Sequence, residues 1–147
     1  MMTTRLCTTD ADFNTAMEIR FAVFVDEQNV PAELEADEYD EDAIHLLLLD
    51  GEKAIGTARL VDKGNGVVKI GRVAVLPAYR GKGLGNQLMW FALDIAHEND
   101  FRLVILDSQT YAIPFYEKLG FTAEGPEFDD AGIPHRRMKR VLSSVGD

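Results

Sequence analysis

The stretch Val67-Val-Lys-Ile-Gly-Arg-Val-Ala-Val75-Leu-Pro-Ala-Tyr-Arg80-Gly-Lys-Gly-Leu-Gly85 decides how this chain is read. Its first half is rich in β-branched residues, which predicts a strand over residues 67–76, and Pro77 ends it. Its second half is a glycine-rich turn. Leu84, Leu88, Phe91, Ala92 and Ile95 follow on one helical stripe. A strand feeding a glycine turn at a helix N-terminus makes an anion cradle. Glycines let the backbone approach a ligand, free N–H groups point at it, and the helix dipole adds positive potential. The expected ligand carries phosphate.

Working outward, residues 5–8 read as a short first strand. Thr9 and Asp12 then have capping-box spacing. Phe13, Ala16, Met17, Phe21 and Phe24 recur at offsets of three and four, so an amphipathic helix is expected to about Gln28, before Pro31. Residues 33–42 hold seven carboxylates: Glu33, Glu35, Asp37, Glu38, Asp40, Glu41 and Asp42. Residues 43–49 and 53–61 read as strands around an Asp50-Gly51 hairpin turn, and a second turn at residues 63–66 leads into the strand quoted above. Beyond the glycine turn and its helix come an apolar strand (102–106) and a short helix (111–119) with Gly120 just past its end. Two final strands (121–128 and 133–142) follow. The expectation is one α/β domain over residues 1–147, a mixed and mostly antiparallel sheet with helices on both faces.

A length of 147 residues suffices for one domain with a real core. The formal net charge of −10 argues against general binding to nucleic acid or anionic membranes. No apolar run approaches the roughly 18 residues of a membrane span, and the residues ahead of Arg5 do not read as a signal peptide. The single cysteine, Cys7, reads as an inert thiol rather than a nucleophile and fits a reducing cytoplasm. His45, His97 and His135 lack ligand spacing, so no metal is expected.

Three phosphate-binding patterns compete for the turn. A P-loop needs Gly-x-x-x-x-Gly-Lys-Ser/Thr, which Gly81, Gly83 and Gly85 cannot supply. A dinucleotide fingerprint needs Gly-x-Gly-x-x-Gly, but Asn86 or Leu88 stands where its third glycine belongs. The remaining pattern, Arg/Gln-x-x-Gly-x-Gly/Ala, is met by Arg80-Gly-Lys-Gly83-Leu-Gly85. In this it resembles the acetyl-CoA signature of the GCN5-related N-acetyltransferase (GNAT) superfamily. Ala112-Ile-Pro-Phe-Tyr116-Glu-Lys-Leu-Gly-Phe121 resembles the family's second motif. The runs Arg20-Phe-Ala-Val-Phe-Val-Asp-Glu-Gln28 and Gly132-Ile-Pro-His135 look like those of the ElaA/YjcF-like branch.

The resemblance implies an acetyl-CoA-dependent N-acetyltransferase in which a primary amine, of a small molecule or a peptide, attacks the thioester directly in a ternary complex. The pyrophosphate would lie on the backbone of Gly81, Lys82, Gly83, Leu84 and Gly85, with Arg80 and Lys82 adding charge. Main-chain groups of Val73, Ala74 and Val75 would hold the pantetheine arm and acetyl group. Tyr116 would protonate the departing thiolate. Gln109 stands where relatives often carry Asn and would supply its amide to the cofactor's pantetheine arm. The strand glutamate that serves many relatives as base is missing, since Lys69 and Arg72 hold the polar positions. Glu27, Glu38, His45, Asp107 and His135 are the candidates left for the base or for substrate contact.

The acidic stretch at residues 33–42 either attracts a cationic amine into the acceptor site or is a solvated face. Dimers are frequent in the family, which raises a homodimer. Two other readings stay open: a CoA-binding sensor without turnover, and transfer of a different acyl chain.

Overall fold

The computed structural model describes residues 1–142. Strand β1 spans Met2–Leu6, earlier than the 5–8 expected, because its partner in the sheet extends to Asp50. Helix α1 (Asp10–Arg20) starts where the capping pattern places it: Thr9 Oγ1 accepts from Asp12 N at 3.1 Å. The helix does not run on unchanged to Gln28. Its hydrogen bonding widens to a π-helical stretch over Phe21–Glu27, a form that is rare and frequent at functional sites. Helix α2 (Ala32–Glu35) is one turn. Strands β2 (Ile44–Asp50), β3 (Lys53–Gly64) and β4 (Val67–Val75) form an antiparallel run. Helix α3 (Leu84–Glu98) leads to β5 (Leu103–Gln109), α4 (Ile113–Glu117) and the hairpin of β6 (Thr122–Asp130) and β7 (Ile133–Val141).

The sheet order is β1-β2-β3-β4-β5-β7-β6. Helices cover both faces, which explains the uninterrupted leucine run of β2. Leu46 and Leu48 pack into the larger core with Leu88, Met89 and Ala92 of α3. Leu47 and Leu49 point the other way, onto Ala16, Ile19 and Val23.

Two features of β4 position the site. Arg59 pairs with Gly71 but Thr57 with Ala74, so Arg72 and Val73 together oppose Ala58. That is a β-bulge, with Arg72 in the left-handed region at φ +51°. The β4–β5 pairing is the parallel one, and it covers only Val67–Leu103, Val68–Val104 and Lys69–Ile105. Beyond Lys69 the two strands diverge and leave the β5-facing edge of β4 without a strand partner.

Candidate active site

The glycine turn folds as an open cradle. Gly81 and Gly83 have φ of +78° and +75°, and a Cβ built on either meets nothing within 4 Å. Their absent side chains therefore serve the backbone conformation and leave space rather than tight packing. Gly83 caps α3, and the first N–H of that end to find a carbonyl is Gln87, on Gly83 O at 3.2 Å. Among the described residues none of the backbone N–H groups from Gly81 to Asn86 has a partner. Six unpartnered donors at and just before the positive end of a fifteen-residue helix fit a pyrophosphate. Gly85 has a packing reason as well, since a Cβ there would lie 3.4 Å from Phe115 Cζ.

Arg80 contributes differently from expectation. Its guanidinium forms a two-point pair with Glu27 at 2.5 and 2.7 Å, and its Nε donates to Val75 O at 2.9 Å. The pairing lowers the Glu27 carboxyl and raises Arg80. Glu27 therefore clamps the π-helical stretch to the cradle and does not reach the cleft. Lys82 lies over the Tyr79 ring at 5.7 Å.

Where β4 and β5 diverge, a cleft of about 220 Å³ opens, lined in part by Gln28, Val73, Gln109, Tyr116 and His135. Gln109 Nε2 donates to Gln28 Oε1 at 2.9 Å, so an amide from the π-helical end and one from β5 meet across it. Ala74 and Val75 contribute no side chain to it: Ala74 is buried under α1, and Val75 packs on the larger core. Burial, with Tyr111 nearby, pushes the Tyr116 phenol up to about 12, and its hydroxyl has no hydrogen-bond partner among the described residues. His135 is nearly buried and stacks on Phe128. Its Nδ1 lies 2.7 Å from Ile133 O. A carbonyl only accepts, so Nδ1 carries the proton and the neutral ring keeps its lone pair on Nε2.

The acidic stretch is neither of the things expected of it as a whole. Glu35, Asp37 and Asp40 turn inward to three arginines. Arg20 holds Glu35 at 2.6 Å and Asp40 at 2.7 Å; Arg59 holds Asp37 at 2.6 Å and Asp40 at 2.8 Å. Arg72 donates to Leu34 O, Glu35 O and Asp37 Oδ2, so the network ties α1, β3 and the loop after α2 to the bulge. Burial pushes Asp40 up, but hydrogen bonds from Arg20, Asp37 N and Arg59 outweigh it and hold the carboxyl well below the ordinary range. For Glu35 burial wins, and its carboxyl lies above that range. Glu38 is exposed and outside the cleft wall.

His45 is also outside the cleft. It is buried, edge-on to Phe13, and its Nε2 donates to Asp40 O at 2.9 Å. Asp107 does line the cleft, but Arg137 and Lys69 hold it at 2.5 and 3.0 Å, and their hydrogen bonds outweigh burial and lower its carboxyl. A base so stabilised as an anion takes protons poorly. Burial and Asp12 push the Cys7 thiol up to about 11, so it is no nucleophile near neutral pH. Sequence reasoning missed Gln28, Glu35 and the bulge at Arg72. Gln28 closes the branch-like run from Arg20, but the inward turn of Glu35 leaves no local signal.

A family described as Acetyltransferase (GNAT) domain matches residues 9–142. The uncharacterized N-acetyltransferase YjcF of Bacillus subtilis is 41% identical over 126 residues, 85% of this chain and 89% of that protein. The crystal structure of a putative N-acetyltransferase from Lactobacillus plantarum superposes with a TM-score of 0.90 at 31% identity, covering 97% of this chain and 99% of that one. Escherichia coli ElaA gives 0.86 at 30% identity, over 95% and 99% of the two chains. The chain belongs to the GNAT acetyltransferase family. It is an acyltransferase with acetyl-CoA as co-substrate, and the cradle fits that co-substrate.

Proposed function

We propose that the chain transfers an acetyl group from acetyl-CoA to a primary amine by direct attack, both substrates being bound at once. The observation that carries this is the divergence of β4 from β5, which places Tyr116 and His135 on one cleft beside an unpaired strand edge. Acetyl-CoA supplies the acyl group as a thioester. The N–H groups of residues 81–86 hold its pyrophosphate, and the free edge of β4 at Val73 orients the arm and donates to the acyl oxygen. His135 Nε2 takes the proton of the incoming amine, directly or through a water.

Tyr116 presents its Oη–H to the leaving sulfur. A phenol near 12 facing a thiolate of ordinary pKa about 8.5 loses roughly 5 kcal/mol on full proton transfer. Its main contribution is therefore a hydrogen bond to the developing negative charge.

The test is CoA release from acetyl-CoA over a panel of amines. Tyr116→Phe and His135→Gln should each lower kcat about 10²-fold or more, with acetyl-CoA affinity within a factor of about three of the parent. Tight acetyl-CoA binding without turnover on any amine would instead support a CoA-binding sensor. Unchanged kcat in either variant would remove that residue from the mechanism.

A further inference from the structure

Two side-chain clusters meet at the cleft: the first balances three arginines with three carboxylates but leaves a guanidinium donor free, and the second sets two cations against one carboxylate. In the first, Arg20, Arg59 and Arg72 face Glu35, Asp37 and Asp40. Arg20 and Arg59 reach carboxylates at 2.6–2.8 Å. Arg72 reaches them only at 3.2 and 3.4 Å and otherwise donates to main-chain carbonyls. Its Nη1 has no partner among the described residues, the side chain is 25% exposed, and the residue lines the cleft. Burial and the Arg59 and Arg20 cations outweigh Glu35 and Asp37, so Arg72 sits below the ordinary guanidinium range.

In the second cluster, Lys69 and Asp107 line the cleft, and Lys69 and Arg137 share the Asp107 carboxylate. The Lys69 ammonium has three N–H donors and this single partner, and its side chain is 35% exposed. Glu35 and Asp107 are thus already committed to cations. The remaining carboxylate on the wall, Asp130, is exposed at the end of β6. In a chain of net charge −10, donors with unspent positive charge gathered in one cleft mark a place for an anion.

We propose that the acceptor amine carries a carboxylate on the same small molecule, an amino-acid-like compound whose carboxylate is received by Arg72 Nη1 and Lys69 Nζ. This rests on the acetyltransferase reading of the cleft. The carboxylate pairs with donors that otherwise lack partners and cancels charge the protein leaves over. A polyamine would instead set a second ammonium against Lys69 and Arg72. Leu34 and Tyr111, both on the cleft wall and largely exposed, offer apolar surface for the acceptor's side chain. A cleft of about 220 Å³ has room for a small acceptor.

Matched acceptors decide the point. Leucine, leucinamide and 3-methylbutylamine share a side chain and differ in the carboxylate. The same triads are extended to small, aromatic, acidic and basic side chains. CoA release is measured with acetyl-CoA, and rates are referred to the neutral amine. In at least one triad the amino acid should exceed both partners in kcat/KM by about tenfold or more, and Lys69→Met should cut that ratio to below about threefold. Equal or better turnover of the amide or plain amine in every triad overturns the inference while leaving the acetyltransferase reading intact. If nothing is turned over, that reading fails. The carboxylate question is then settled by calorimetry on the CoA-loaded protein. Tighter binding of an N-acetyl amino acid than of its amide supports the inference; equal or absent binding overturns it.

Discussion

Gly83 and Gly51 form a matched pair that separates backbone strain from cofactor contact. Gly83 has φ +75° and Gly51 φ +61°, and a Cβ on either meets nothing within 4 Å. Alanine at each position therefore has the same two effects on the fold. The left-handed conformation costs about 1–2 kcal/mol. The stiffer unfolded chain returns about 0.4–1 kcal/mol. A net loss near 1 kcal/mol lowers Tm by roughly 2–4 °C for a chain of this size, in both variants. The two sites differ in what their backbone faces, and Gly83 is also the N-cap of α3. Gly51 lies in the β2–β3 hairpin, whereas Gly83 opens α3 amid six unpartnered N–H groups. A methyl group in the cradle pushes the pyrophosphate off these donors, and a hydrogen bond to a charged group contributes about 1.5–3 kcal/mol. Gly83→Ala should thus raise the acetyl-CoA Kd by about 10- to 100-fold, and Gly51→Ala should leave it unchanged. Thermal unfolding followed by calorimetric titration with acetyl-CoA measures both quantities. Equal Kd in the two variants, with equal losses of Tm, would refute the cradle assignment.

Arg20→Met should destabilise the protein by about 3–5 kcal/mol in urea unfolding, because Glu35 and Asp40 lose a partner while still buried. A loss under about 1 kcal/mol would show that the network relaxes into water. His45 supplies a pH dependence with a definite sign. Burial lowers its pKa below the ordinary value, against the Asp40 carbonyl, so the folded state binds its proton less readily than the unfolded one. Its contribution is full above about pH 6.5 and is lost as pH falls toward the lowered folded value. The urea midpoint should drop between pH 7.5 and 5.5 in the parent and drop less in His45→Gln. Taking the difference between the two proteins isolates the imidazole from Glu35, whose raised pKa works in the opposite direction over its own range. Parallel curves would remove His45 as the source.

Much of this was legible along the chain because it depends on local chemistry. Thr9 and Asp12 cap α1, the Asp50-Gly51 turn joins two strands, and three glycines in the spacing of residues 81–85 fit neither a P-loop nor a dinucleotide fingerprint. Each is a statement about neighbours within a few residues, where backbone sterics and hydrogen bonding leave few options. The helix and strand order that follows from them, with Tyr116 in a second motif, was enough to expect the family. The capped helix was misjudged only at its end. Nothing local distinguishes an α turn from the π turn over Phe21–Glu27.

The tertiary structure decided everything that depends on which distant groups compete for one partner. Seven carboxylates in residues 33–42 are equivalent as sequence. Arg20, Arg59 and Arg72 draw three of them inward, burying Glu35 and Asp40 and half-burying Asp37, and leave Glu38 outside. Arg80 carries the charge the motif asks for, yet Glu27, fifty-three residues earlier, already holds it. The bulge at Arg72 and the parting of β4 from β5 arise from register between strands, which no single segment encodes. The sequence by itself determined the open glycine turn and the order of the elements, because these follow from backbone freedom at glycine and from hydrophobic period. Only packing decided the sign of the charge left free in the cleft, since that is the residue of pairings made across the whole fold.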